Sequence, residues 1–138
     1  MTIQHLDHFT VRTAKVDETA DFFRDAIGLE EGWRPAFPFP GRWLYAAGRP
    51  LVHIANLQSS GAELDHYLGA RAVGEGGGTF DHIAFRCSDL EGHRQRLFNL
   101  GLRFSERVVP DLSEHQLFVE DPNGIKVELI FADSPKAR

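Results

Sequence analysis

Cysteine is almost missing from this chain: Cys87 is the only one in 138 residues. That excludes an internal disulfide and a thiolate-rich structural zinc site, and it points to a reducing, cytoplasmic setting. An excess of positive charge is missing too. Fifteen Lys and Arg stand against twenty Asp and Glu, for a net charge of −5, whereas a nucleic-acid binder shows a basic face. No apolar run approaches the roughly 20 residues of a membrane span. The opening Met1-Thr2-Ile3-Gln4-His5 has neither the basic nor the apolar region of a signal peptide. The glycine cluster Gly74-Glu75-Gly76-Gly77-Gly78 lacks the Gly-Lys-Ser/Thr ending of a phosphate-binding loop, so it reads as a flexible connection. These absences leave one globular domain with enough chain to bury a core.

What the chain has is a sequence said twice. Residues 7–12 read Asp-His-Phe-Thr-Val-Arg, and residues 81–86 read Asp-His-Ile-Ala-Phe-Arg. Residues 3–13 have the β-branched and aromatic content of a strand, with Leu6, His8, Thr10 and Arg12 on one face and Asp7, Phe9 and Val11 on the other. A helix follows, capped by Asp17 and ended by Gly28. Residues 33–41 hold Pro35, Pro38 and Pro40 and read as an edge strand or loop. Residues 41–47 and 51–57 read as strands around a turn at Gly48-Arg49-Pro50. After a linker over about 59–78, with one helical turn near 63–68, the order repeats. Strand 79–88 leads to a helix capped by Asp89 and ended by Gly101. Strands 102–109, 114–120 and 125–131 come next, and Asp121-Pro122-Asn123-Gly124 turns between the last two. Residues 132–138 read as a frayed tail. The expected fold is α+β. Two βαβββ modules, about 3–58 and 79–132, each form a curved, mostly antiparallel sheet with its helix outside.

The repeat singles out four side chains. His8 matches His82 in the first strand of each module. His53, in Val52-His53-Ile54, matches Glu128, in Val127-Glu128-Leu129. Three imidazoles and a carboxylate suit a divalent iron, manganese, cobalt, nickel or zinc ion, and two His with one carboxylate form the facial triad of non-haem iron. Arg12 and Arg86 share strand faces with the two histidines and are candidates to clamp a substrate carboxylate. His115 is a candidate proton shuttle at the substrate. Trp33, Phe37, Phe39, Trp43 and Tyr45 are candidates to line an apolar pocket. His5, His66 and His93 have no motif behind them.

Three stretches carry a resemblance: Leu6-Asp7-His8-Phe9, then Phe80-Asp81-His82-Ile83-Ala84-Phe85, and the late run from Phe118 through Asp121-Pro122-Asn123-Gly124 to Leu129. The chain resembles the vicinal oxygen chelate superfamily, the group of glyoxalase I, extradiol dioxygenases and fosfomycin- and bleomycin-resistance proteins. The resemblance spans nearly the whole chain. It implies that the two modules form a cup around a divalent metal, with His8, His82 and Glu128 as ligands. His53 stands where glyoxalase I has a fourth ligand, usually Glu or Gln, so this site carries less negative charge and one candidate base fewer. The resemblance also implies a homodimer and a small-molecule substrate. The leading expectation is a metal-dependent lyase or isomerase that forms an enolate or enediolate, with Glu128 as base. The alternatives are an extradiol-type dioxygenase, thiol addition to an antibiotic epoxide, and a drug-binding protein without catalysis.

Overall fold

The structure, a computed structural model, describes residues 2–57, 61–69 and 74–132. The chain divides into two compact units, residues 1–73 and 74–138. In the first, β1 (Phe9–Thr13) leads to α1 (Val16–Asp21), which widens into a π-helical segment (Phe22–Ile27). Then come β2 (Glu30–Gly32), β3 (Gly41–Ala46), β4 (Arg49–Asn56) and α2 (Gly61–Leu68). The second unit runs β5 (His82–Arg86), α3 (Leu90–Asn99), β6 (Phe104–Val109), a 3-10 turn (Pro110–Leu112), β7 (Glu114–Glu120) and β8 (Lys126–Ala132). Each unit holds a four-stranded mixed sheet, ordered β1-β4-β3-β2 in one and β5-β8-β7-β6 in the other. The first strand of each pairs in parallel with the last, and the other pairings are antiparallel. This is the α+β order that the repeat predicts. No described helix is long and apolar enough to cross a membrane.

Alternation along the strands sorts the side chains of each sheet. In the first unit, Val11, Leu44, Val52 and Ile54 are buried on the face against which α1 packs. The helix presents Ala20, Phe23, Ala26 and Ile27 to that face, all nearly or fully buried. Leu29 N–H and Gly28 N–H both bond to Phe23 O, and Gly28 ends the segment in the left-handed conformation at φ 98°. The opposite face carries Thr10, His53, Trp43 and Gly41. The proline-rich loop and α2 cover it, and Phe39, Ala55 and Leu64 form a small apolar cluster there. In the second unit Leu117, Val119, Val127, Leu129 and Phe131 are buried with Leu97 of α3. Glu128, Phe118, Gln116 and Arg107 lie on the other face.

Several local expectations change. β1 begins at Phe9, so Asp7 and His8 precede the strand and escape its alternation. Lys15, not Asp17, is the N-cap of α1, and Asp17 sits within the first turn. The β3–β4 turn is Ala47-Gly48, both at positive φ, and Pro50 belongs to β4 opposite Tyr45. Proline is accommodated there beside a register shift between Leu44 and Tyr45. The predicted linker is partly structured: α2 runs from Gly61 to Leu68 with Leu64 fully buried, and Gly76 N–H bonds to Asn123 O at 2.7 Å. The rest of that stretch, 59–60 and 70–73, and the tail 133–138 lie outside the described residues. Asp89 caps α3 as predicted, its carboxylate accepting from Gly92 N–H at 3.1 Å.

Candidate functional site

In the first unit, His8 sits one residue ahead of β1. Its Nδ1 lies 2.6 Å from Asp7 Oδ2. A carboxylate at that distance accepts, so Nδ1–H donates, and in the neutral ring the lone pair is then on Nε2. The same hydrogen bond, ahead of other causes, holds the Asp7 carboxyl below its ordinary range. His53 projects from β4 between Thr10 of β1 and Trp43 of β3. Its ring is sandwiched, 3.8 Å from His8 at an interplanar angle of 10° and 3.7 Å from Trp43 at 11°. Its Nε2 lies 3.1 Å from Pro50 O, which can only accept, so Nε2 carries the proton. Burial first, then the neighbouring His8, pushes the His53 pKa down to about 4, which makes the ring neutral near pH 7. Stacking has a geometric consequence. With the rings stacked, an ion in the plane of one stands well out of the plane of the other. His8 and His53 therefore do not aim at a common point in this arrangement.

The stack forms one wall of a cavity of about 380 Å³. Phe37 and Phe39 enter from the proline-rich loop, Tyr67 and Leu68 from α2, and Arg34 closes one side. Of the five aromatics expected to line a pocket, Phe37, Phe39 and Trp43 do. Trp33 is 73% exposed. Tyr45 is also absent from the lining, and its hydroxyl donates to Trp33 O.

The second unit repeats the Asp–His pair. His82 Nδ1 lies 2.6 Å from Asp81 Oδ2, which again leaves Nε2 open. Nε2 stands 3.6 Å from Glu128 Oε2. Glu128 is 5% exposed, and its other oxygen is 3.8 Å from Arg107 Nη2. Both are ion-pair distances, longer than hydrogen bonds. Arg107 also donates twice to Gln116 Oε1, at 3.0 and 2.6 Å, and lies 5.1 Å from the Phe118 ring.

Three expected substrate residues have other partners. Arg12 reaches α2, donating to Gly69 O at 2.8 Å with Asp65 at 3.6 Å. Arg86 pairs with Glu114 at 2.8 Å. His115 faces α3, on the opposite side of the sheet from Glu128. It is buried with Glu106 Oε1 at 2.8 Å and Arg94 Nη2 at 3.2 Å. A one-residue step along β7 decides this, because His115 has the parity of Leu117 and Glu128 pairs with Phe118. Asp7, Asp81 and Arg34 were missed as functional candidates. The first two were visible in the doubled Asp-His dipeptide, but strand alternation assigned Asp7 to the wrong face.

The profile of the Glyoxalase/Bleomycin resistance protein/Dioxygenase superfamily matches residues 5–129. The chain belongs to that superfamily. It is 26% identical over 132 residues to Glyoxylase I 4 of Arabidopsis thaliana, covering 94% of this chain and 71% of the relative. Its fold is that of the solved lactoylglutathione lyase from Agrobacterium tumefaciens, with a TM-score of 0.70, 20% identity, and 96% and 97% of the two chains covered. A fosfomycin resistance protein from Listeria monocytogenes gives 0.68 at 19% identity, covering 99% and 97%.

The donors of this superfamily member suit a divalent ion in chemistry. His8 and His82 are each backed by a carboxylate at Nδ1, and Glu128 is a buried carboxylate with one oxygen 3.6 Å from His82 Nε2. Among the described residues no three His, Cys, Asp or Glu side chains gather closely enough to ligate one ion. His8 belongs to the first unit, and His82 and Glu128 to the second.

Proposed function

We propose that the chain is a metal-dependent glyoxalase-type enzyme, a lyase or isomerase acting on a small oxygenated molecule. His8, His82 and Glu128 hold the divalent ion. The doubled Asp–His pair carries this reading: two imidazoles 74 positions apart have the same tautomer imposed by the same neighbour. A structural histidine has no need of that arrangement, whereas a ligating one gains basicity and a fixed ring from it. When bound, the ion supplies Lewis-acid polarisation of adjacent substrate oxygens. Glu128, once loosened from the ion, takes the substrate proton and returns it. Its burial limits competition from bulk water. His53 supports the His8 ring through the stack and ligates only if its own ring turns out of it.

Elemental analysis of protein purified without chelator tests this reading. Nickel, cobalt, zinc or manganese near one per chain, lost in His8→Ala and kept in His53→Ala, is the expected result. No metal in any of the three proteins after reconstitution overturns it. Retained turnover in metal-loaded Glu128→Gln removes Glu128 as the base.

One observation favours a second reading. With His53 held in the stack, the remaining donors are two His and one carboxylate, the set used by non-haem iron oxygenases. Iron in place of the other metals, with oxygen consumed in the presence of a catechol, would make the chain a dioxygenase.

A further inference from the structure

Arg34 differs from most of the described arginines. Arg12, Arg24, Arg42, Arg86, Arg94 and Arg107 each have a carboxylate within 4.0 Å. Arg34 has no ion-pair partner among the described residues. Its Nη2 donates to Phe39 O at 2.7 Å, while its Nε is buried with no hydrogen-bond partner. The guanidinium lies over Phe37 and Phe39, 5.1 and 5.2 Å from the ring centres. Nε is shut off from solvent, so a ligand would meet the guanidinium at Nη1, which is neither buried nor hydrogen-bonded among the described residues.

The second unit shows what ordinarily does. Antiparallel register places Arg107 opposite Gln116 and Phe118 opposite Glu128. Carried back 73 to 75 positions, these four become Arg34, Gly41, Trp43 and His53. Gly41 does lie beside Arg34: a Cβ built there would be 3.0 Å from Nη2 and 3.1 Å from Nε. Trp43 does pair with His53. Arg107 keeps its amide oxygen and carboxylate. Arg34 has glycine and an imidazole in their places, and it lines a cavity.

We propose that this cavity binds an organic anion, a carboxylate on a flat aromatic body, with the carboxylate on Arg34. Phe37, Trp43 and Tyr67 supply the apolar walls, and rings of this kind accept flat ligands at low entropic cost. A cavity of roughly 150 Å³ takes up benzene, so about 380 Å³ holds a two-ring acid. The lining has one carboxylate, Asp7, which is mostly exposed and tied to His8. The inference names the substrate class of the proposed enzyme, and it rests on that reading only in calling the bound anion a substrate.

The probes are 1-naphthoate and its neutral analogue 1-naphthalenemethanol, titrated by calorimetry and by tryptophan fluorescence. Trp33 and Trp43 are the only tryptophans, and Trp43 lines the cavity. Wild-type protein should bind the acid at least tenfold more tightly than the alcohol, as a charge-assisted hydrogen bond predicts. Arg34→Gln should erase that preference while alcohol affinity stays within about twofold, and Arg34→Lys should keep part of it. Equal affinities for acid and alcohol in the wild type overturn the proposal, and this comparison needs no variant to fold. A preference that survives in Arg34→Gln overturns it as well. Each titration is repeated on chelator-treated protein. A preference lost with the metal puts the carboxylate on the ion: the proposal fails and the metal enzyme stands. A preference kept by protein that never binds metal supports the anion site and removes the metal enzyme.

Discussion

Leu64→Ala should release α2 from the first unit without unfolding its sheet. Eight residues of helix are marginal alone, since isolated helices shorter than about 12–15 residues barely form in water. Among the described residues only a few contacts hold α2, the Arg12–Asp65 ion pair at 3.6 Å among them. Leu64 is fully buried beside Phe39 and Ala55. The Tyr67 ring lies 5.0 and 5.4 Å from Phe37 and Phe39, worth about 0.5–1.5 kcal/mol each beyond area. Arg12 donates to Gly69 O, worth about 1.5–3 kcal/mol at most for a charged donor. Truncating a buried leucine costs about 2–5 kcal/mol if the hole is kept. Undocking costs only the net local stability of α2, which is the smaller amount because those few contacts must also offset the ordering of eight residues. The cheaper response prevails. Hydrogen exchange should show amides of 61–69 losing at least tenfold protection while β3 and β4 keep theirs, and global stability in urea should fall by less than about 2 kcal/mol. The same variant should weaken 1-naphthoate binding at least fivefold, because Tyr67 and Leu68 leave the cavity wall. Unchanged exchange at 61–69 with a global loss of the full 2–5 kcal/mol would refute this reasoning.

Four further outcomes can be checked directly. Gly41→Ala places a Cβ 2.2 Å from Ile54 O and against the Arg34 guanidinium, so it should cost about 2–4 kcal/mol in chemical denaturation and abolish any preference for the acid probe. Asp89 caps α3 at φ 66°. Asp89→Ala should therefore lose about 1–2 kcal/mol of melting stability through the missing cap and the strained backbone, while Asp89→Gly loses only a few tenths. Burial pushes the His93 pKa below its ordinary 6.5, with Arg96 adding to the effect and Asp89 opposing it. The unfolded chain then takes up the proton first, so stability should fall as pH drops below 6.5, and a urea midpoint series on His93→Gln should be flatter there. Asp7→Asn keeps an acceptor for His8 but removes the charge. Dye competition should show metal affinity falling about 10- to 100-fold, with Asp81→Asn behaving alike.

The repeat made the architecture legible. A 74-residue offset between two Asp-His dipeptides predicted strand, helix and three strands in each half, and Gly28, Gly101 and the Asp121–Gly124 turn marked boundaries that the structure keeps. Parity is kept wherever a strand is regular: His53 and Glu128 lie opposite the buried Val52, Ile54, Val127 and Leu129 beside them. It failed where the strand had not yet begun. Asp7 belongs to no pleat, so alternation could not report that its carboxylate turns back to His8. His115 shows the converse error: type and neighbourhood suggested chemistry, but the pleat of β7 sends it to α3. Arg34 was invisible for another reason. Its role depends on what is missing around it, and a missing partner leaves no motif.

The two halves of this chain share a backbone plan and differ in what they present on the equivalent face. Where the second sheet has Gln116, the first has Gly41, and this is more than a deleted side chain. Any Cβ at position 41 would meet a backbone oxygen of the adjacent strand at 2.2 Å, so the first sheet has closed over that position. β3 also carries a register shift that β7 pairs without. The glycine beside Arg34 is therefore demanded by the strand geometry. Restoring a glutamine there would strain the sheet before it could satisfy the cation. In the second unit the corresponding arginine is bound by its own side-chain neighbours and stands beside a buried carboxylate suited to proton transfer. In the first unit the arginine is left for a ligand, and the histidine that replaces the carboxylate is locked into an aromatic stack. One half thus has the features of a binding surface and the other those of a reacting group. On this argument, changes at Arg34 act on affinity and changes at Glu128 act on turnover.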